Sequence, residues 1–200
     1  MYANSKKCTF LYTQVQFLGF VVYIDGVSAD SEKVRAIEEW PKPKTIRDAR
    51  SFHGLAAFYR RLIKEFIIVM ALITDYLKKG EFTWSNVASK AFIEIQKGMA
   101  SAHVMRLLEF FKVFEVTCNT LGIGISGVLT QKDHPVTYFS EMQNDVRPRH
   151  STFDKELYVV IQALRHWRHY LLVQEFILYS DHEALQYIYS QKKLNARYER

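Results

Sequence analysis

Three positions in the second half of this 200-residue chain could do chemistry together: Asn119, Glu156 and Asp181. Asn119 lies in FEVTCNTLGIGISGVLTQ, residues 114–131, which reads as a strand, a tight turn and a second strand. Gly122, Gly124 and Gly127 give that stretch room to reverse and to lie close to a neighbour. Glu156 lies on a helix opening at Ser151, and Asp181 ends the strand Glu175–Asp181. Acids at the ends of two strands, with a third on a helix crossing the sheet, form a carboxylate cluster that repels itself unless divalent cations occupy it. Here the first position holds an asparagine, which offers one neutral carbonyl oxygen. Both acids also have plainer readings. Glu156 sits at the edge of the apolar stripe Phe153, Leu157, Val160, Ile161 and Leu164, where a half-exposed glutamate is ordinary. Asp181, followed by His182, can cap the helix Glu183–Ser190.

A second group of side chains could hold a polyanion. The spacing predicts a helix from Thr45 to about Phe66, with Phe52, Leu55, Ala56, Tyr59, Leu62, Ile63 and Phe66 on one face. Arg47, Arg50, Arg61 and Lys64 fall on the opposite face with Gly54 and Ala57. A glycine inside a helix costs roughly 1 kcal/mol relative to alanine, so it usually answers some need. Close approach of a rigid phosphate backbone between cations is one such need. An ordinary solvated basic face with a tolerated glycine is the other reading. Net charge is +6, carried mostly by the first half: residues 1–109 hold 16 Lys/Arg against 11 Asp/Glu, and the remainder 11 against 10. A basic first half suits a nucleic-acid partner.

The elements that must position these groups follow in order. Residues 8–24 predict a hairpin of Cys8–Tyr12 and Val15–Tyr23, ending on the turn pair Asp25-Gly26. The tetrad Tyr23-Ile24-Asp25-Gly26 lacks the second acid of a polymerase Tyr-x-Asp-Asp site and reads as turn chemistry. A helix capped by Asp30 or Ser31, with Val34, Ile37 and Trp40 inward, stops at Pro41. After a stiff Pro-Lys-Pro-Lys connector and the Thr45 helix, residues 67–80 add a turn or two ending at Lys78-Lys79-Gly80. Ser85 caps a further helix to Ala100 with Val87, Ala91, Phe92 and Ile95 inward. Strands Val113–Cys118, Ile125–Gln131 and Pro135–Ser140 precede the Ser151 helix. Two cysteines, Cys8 and Cys118, form no disulfide framework, which suits an intracellular compartment. No leader is visible, and the longest apolar run, Phe66–Thr74, is too short to span a bilayer, so no membrane partner is expected.

Taken together, Phe17-Leu18-Gly19, Glu38-Glu39-Trp40-Pro41, Arg50-Ser51-Phe52-His53-Gly54-Leu55 and Tyr59-Arg60-Arg61 resemble the late reverse transcriptase of gypsy-class LTR retrotransposons. So do Gly122-Ile123-Gly124, His134-Pro135-Val136, Tyr158, Ala163-Leu164-Arg165-His166-Trp167 and Tyr179-Ser180-Asp181-His182-Glu183-Ala184-Leu185. The resemblance covers essentially the whole chain and is to plant-type copies of the Pol polyprotein. It implies an α/β plan: residues 1–25 as the end of the palm with a primer-grip hairpin, 26–108 as a helical thumb and connection, and 109–200 as an RNase H-like mixed sheet with flanking helices. Phe17, Leu18, Gly19, Gly54 and Phe58 would then lie, with the cations, along a template–primer duplex. Glu156 and Asp181 would match two of the acids that hold two Mg²⁺ ions for hydrolysis of the RNA strand of an RNA–DNA hybrid.

This chain departs from the family where Asn119-Thr120-Leu121 replaces Asp-Ala-Ser. The paired polymerase aspartates have no counterpart here, and the fourth RNase H acid would fall beyond Arg200. These three departures imply poor Mg²⁺ binding and little or no polymerase or nuclease activity. The expected function is therefore a fragment of an RNA-directed DNA polymerase and ribonuclease H, located in a cytoplasmic particle or the nucleus. Its palm and fingers would be supplied elsewhere in the polyprotein. The alternatives are a non-catalytic hybrid-binding module, or a chain whose RNase H sheet is too incomplete to fold stably.

Overall fold

A computed structural model describes residues 12–77, 84–101, 105–143 and 152–180. The chain forms two sheets with helices packed on them, the α/β class expected. The first sheet is antiparallel, with β1 (Gln14–Phe17), β2 (Phe20–Tyr23), β3 (Gly26–Ala29) and β4 (Met105–Arg106) side by side in that order. Val15–Tyr23 was expected as one strand and is instead a complete hairpin, Phe17 pairing with Phe20. Its two-residue turn is Leu18-Gly19, with φ of 49° and 80°. A leucine in the left-handed region gives no turn signal in sequence, which hid the reversal. Most of the other expected strand, Cys8–Tyr12, lies outside the described residues.

Four helices follow β3 and pack chiefly on one another: α1 (Ser31–Glu38), α2 (Ile46–Phe58), α3 (Phe66–Leu77) and α4 (Asn86–Ala100). The predicted caps Asp30, Thr45 and Ser85 are in place, while the cap expected at Asp181 lies outside the described residues. Asp30 accepts from the Glu32 amide at 3.0 Å, and Ser85 from the Ala88 amide at 3.1 Å. Thr45 and Asp48 form a reciprocal capping box. The core of this half gathers Ile37, Phe52, Phe66, Ile73, Phe92, Ile95 and Met99. Gln96 closes the end of α1, its amide nitrogen donating to the carbonyls of Ile37, Glu38 and Trp40.

α3 runs twelve residues where a turn or two was expected, and its expected stop at Lys78-Lys79-Gly80 lies outside the described residues. Two further helical expectations are corrected. The single helix from Thr45 to Phe66 is broken at Tyr59, and residues 59–65 form a turn in which Glu65 has a φ of 57°. The apolar period runs through the break because Tyr59, Leu62 and Ile63 are buried in the turn as well. Val87, expected inward, is half exposed, because the buried stripe of α4 is Ala88, Ala91, Phe92, Ile95 and Met99.

The second sheet holds β5 (Phe114–Leu121), β6 (Gly124–Gln131), β7 (His134–Met142) and β8 (Phe176–Ser180), in the order β7-β6-β5-β8. β8 runs parallel to β5, and the other pairings are antiparallel. Helices α5 (Thr152–His166) and α6 (Arg168–Leu171) pack Val159, Ala163, Trp167 and Leu171 against Phe114, Val116, Ile125 and Leu129. The Gln131 side chain, almost fully buried, bonds the backbone of Glu109 and Lys112 and ties the incoming loop to β6. β7 joins the two halves. The Tyr138 amide donates to the Arg61 carbonyl at 3.0 Å, and the Ile67 amide to the Ser140 hydroxyl at 3.0 Å. No helix among the described residues is long and apolar enough to cross a membrane.

Candidate functional site

Strand alternation decides what β5 offers. Phe114, Val116 and Cys118 face the buried side beneath α5, and Thr120 continues that row. Asn119 falls between them, is exposed, and pairs with Ser126 of β6. β5 runs two residues past Asn119, so this position is inside the strand rather than at its end. Glu156, half-buried on α5, accepts a hydrogen bond from the Thr120 hydroxyl at 2.5 Å. The structure thus brings Glu156 to the residue beside Asn119. The register that pairs Cys118 with Ser180 points β8 toward Asp181, which itself lies outside the described residues.

Among the described residues, no three His, Cys, Asp or Glu side chains come together as metal ligands. One carboxylate already engaged by a hydroxyl, beside a neutral amide on an exposed strand position, is a poor donor set for a pair of hard cations. Cys118, deep beneath the same helix, has its thiol pushed up to about 12 by burial and, secondarily, by the Glu156 charge.

The cationic surface takes shape around α2. The amides of Lys44 and Thr45 donate to the Asp48 carboxylate at 3.1 and 3.0 Å, and the Asp48 amide donates to the Thr45 hydroxyl at 3.1 Å. The bond from the Lys44 amide, then that to Thr45, holds the Asp48 carboxyl below its ordinary range. This rigid start fixes a cleft lined by Trp40, Lys42, Lys44, Arg47 and Ser51. Arg47 and Arg50 are exposed on α2 and make no ion pair among the described residues. Arg61 and Lys64 are exposed as well, but they stand in the turn after α2 and do not extend its helical row. Lys64 is within 3.8 Å of the Glu65 carboxylate.

Gly54 opens on solvent: a β-carbon built there would meet nothing within 4 Å. No packing among the described residues therefore accounts for this glycine. Phe58, 52% exposed at the end of α2, tilts against Phe20 with ring centres 5.3 Å apart. Phe17 and Leu18 project from the hairpin tip, 62% and 73% exposed, and Gly19 lies beneath Phe58. Two residues were not singled out by sequence reasoning. Thr120 holds the Glu156 carboxylate, and the Tyr59 hydroxyl donates to the Gly19 carbonyl at 2.9 Å. A tyrosine in an otherwise apolar stripe is the available signal, because a buried phenol needs a partner.

The chain is similar to several known proteins. The RNase H-like domain found in reverse transcriptase matches residues 109–200. The chain is 32% identical over 196 residues to the retrovirus-related Pol polyprotein from transposon 297 of Drosophila melanogaster, covering 97% of this chain and 18% of that protein. Against the Pol polyprotein from transposon gypsy of the same species it is 32% identical over 214 residues, covering 100% of this chain and 21% of that protein. The chain thus spans about a fifth of these relatives. Among solved structures, a foamy viral protease-reverse transcriptase in complex with dsDNA matches with a TM-score of 0.80 at 21% identity, covering 96% of this chain and 42% of that one. The foamy viral protein in complex with an RNA/DNA hybrid matches with a TM-score of 0.77 at 22% identity, covering 96% and 28%. These two likenesses establish a shared fold.

Proposed function

We propose that this chain, which carries over residues 109–200 an RNase H-like domain of the reverse-transcriptase kind and is similar throughout to LTR-retrotransposon Pol polyproteins, grips an RNA–DNA hybrid or template–primer duplex without cleaving it efficiently. In this reading residues 1–25 are the end of a palm, 26–108 a thumb and connection, and 109–200 the RNase H-like domain. Arg47, Arg50, Arg61 and Lys64 neutralise phosphates, while Gly54 and Phe58 lie against the groove and Phe17-Leu18-Gly19 against a strand end. One observation carries the binding half of the proposal: the space at Gly54 is empty among the described residues, and Arg47 and Arg50 on the same helix make no ion pair among them. A rigid backbone arriving from outside would use that space. The foamy viral relatives of this fold were solved with dsDNA and with an RNA/DNA hybrid, which supports a duplex as ligand.

The nuclease half follows from charge. RNase H-like domains of this kind work through divalent cations that activate water and stabilise the leaving oxygen. Asn119 removes one full negative charge from the ligand set, and Thr120 occupies an oxygen of Glu156. These residues do not suit a pair of Mg²⁺ ions. Palm and fingers from the rest of a polyprotein, an intracellular particle or nuclear setting, and a plant-type origin belong to the same proposal. They can be checked by sequencing the genomic DNA on either side.

Fluorescence anisotropy with a labelled RNA–DNA hybrid tests the grip. Affinity should fall steeply with salt, and Arg50→Glu with Arg61→Glu should flatten the slope by about two contacts. Binding indifferent to both salt and charge reversal refutes it. Incubating the hybrid with Mg²⁺ tests the nuclease, with background cleavage expected. Turnover that disappears in Glu156→Gln would overturn the claim of inertness.

A further inference from the structure

We infer that Tyr59 is a positioning residue: its hydroxyl clamps the β1–β2 turn to the end of α2, so that Phe17, Leu18 and Phe58 present one fixed edge to a bound duplex. The inference deepens the reading of this surface as a duplex grip and rests on it. The Gly19 carbonyl accepts two hydrogen bonds, from the Tyr59 hydroxyl at 2.9 Å and from the Asp30 amide at 3.1 Å. Asp30 is the cap of α1 and is tied back to β1, its carboxylate accepting from the Gln16 side chain at 2.5 Å. Helix ends of both α1 and α2 thus hold one turn of two residues.

Packing reinforces the clamp. Tyr59 is 1% exposed, with its ring 5.4 Å from Phe20 and 4.9 Å from Phe58, both edge-on. A β-carbon at Gly19, where φ is 80°, would lie 3.2 Å from both the Phe58 ring and the Tyr59 hydroxyl. The turn therefore sits flush on the two rings. Burial, and then the Asp30 charge, raise the Tyr59 phenol above its ordinary range, so it remains a donor throughout neutral and mildly alkaline conditions.

The tip itself is not built for hairpin stability. Leu18 has a φ of 49° and is 73% exposed, where asparagine or glycine would adopt the turn at lower cost and expose no apolar surface. A strained, solvent-facing leucine held in place by a buried hydroxyl makes sense as a contact that must be presented at a set angle. A phenylalanine at position 59 would fill the same core space but leave the turn free to swing.

The test compares Tyr59→Phe, Leu18→Ser and the double variant with the unaltered chain, using a labelled RNA–DNA hybrid. Loss of one positioning hydrogen bond should weaken binding about 3- to 10-fold in Tyr59→Phe. In the Leu18→Ser background the same change should have little further effect, since both act through the tip. With Arg50→Glu, in contrast, its effect should multiply. Unchanged affinity in Tyr59→Phe, or an undiminished loss in the Leu18→Ser background, overturns the inference. Hydrogen exchange without nucleic acid supplies the second readout: amides of residues 17–20 and of Asp30 should exchange faster in Tyr59→Phe while those of α4 do not. Unchanged exchange also overturns the clamp. If the unaltered chain fails to bind the hybrid, the duplex reading falls, and exchange alone then decides whether Tyr59 holds the turn.

Discussion

Two side chains show how far function and stability diverge at the residue scale. Gly54 is a helix-interior glycine with open space where its side chain would be. Alanine there removes backbone entropy from the unfolded chain and meets nothing in the fold, so Gly54→Ala should raise stability by roughly 0.5–1 kcal/mol. If α2 grips a duplex as proposed, the same methyl group would stand in the way of the phosphate backbone, so affinity for a duplex should drop. A thermal melt and a binding isotherm on one variant check both signs, and a gain in stability with unchanged affinity would return Gly54 to an ordinary solvated face. Cys118 makes the opposite case. With its thiol raised to about 12 it has almost no thiolate at pH 8, and it lies beneath α5. Iodoacetamide should leave the peptide containing Cys118 unmodified in the native protein and alkylate it fully in urea, as read by mass spectrometry. Rapid native alkylation would mean that α5 does not cover β5 as described.

At the scale of elements, alternation and caps carried most of the information. The strands of the second sheet were legible because Phe114, Val116 and Cys118 alternate with half-buried or exposed residues, and the helix of Glu156 because its stripe is uninterrupted. The substitution at Asn119 was equally plain. Its setting was not: the bond from Thr120 to Glu156 depends on a helix-to-strand register that no local pattern encodes. The break between α2 and α3 was hidden for a related reason. Leu62 and Ile63 bury themselves from a turn as well as they would from a helix, and the reversal at Glu65 uses a residue other than glycine. That geometry gives its own prediction. A left-handed L-residue costs about 1–2 kcal/mol, whereas glycine adopts the conformation freely at some cost in unfolded-state entropy. Glu65→Gly should leave stability unchanged or raise it by up to about 1 kcal/mol, the 3.8 Å surface contact with Lys64 being worth little. A loss of more than that in urea titration would argue that residues 59–65 continue the helix after all.

Across the whole molecule, the two halves share a strand rather than merely a linker. β7 belongs to the second sheet, yet its Tyr138 amide and Ser140 hydroxyl complete the hydrogen bonding of the turn that ends α2 and of the start of α3. Ile68 of α3 occupies the space that a side chain at residue 124 would need: a β-carbon on Gly124 would lie 2.7 Å from Ile68 Cγ1 and from the Glu141 carbonyl oxygen. The isoleucine could rotate away, but the carbonyl belongs to the paired β7 backbone and could yield only by shifting the strand. Gly124→Ala should therefore cost about 1–3 kcal/mol as an overpacked contact. Because the contact lies on the seam, both halves should register the loss. Replacing Trp40 and Trp84 by phenylalanine leaves Trp167, buried in the second half, as the fluorescent reporter, while far-UV circular dichroism follows mainly the four helices of the first. Urea unfolding should give coincident midpoints for the two signals, and Gly124→Ala should shift both together. Separated midpoints, or a shift confined to Trp167, would mean that the helical region and the second sheet fold independently. A grip on the duplex at α2 would then have no fixed distance from the site beside Glu156.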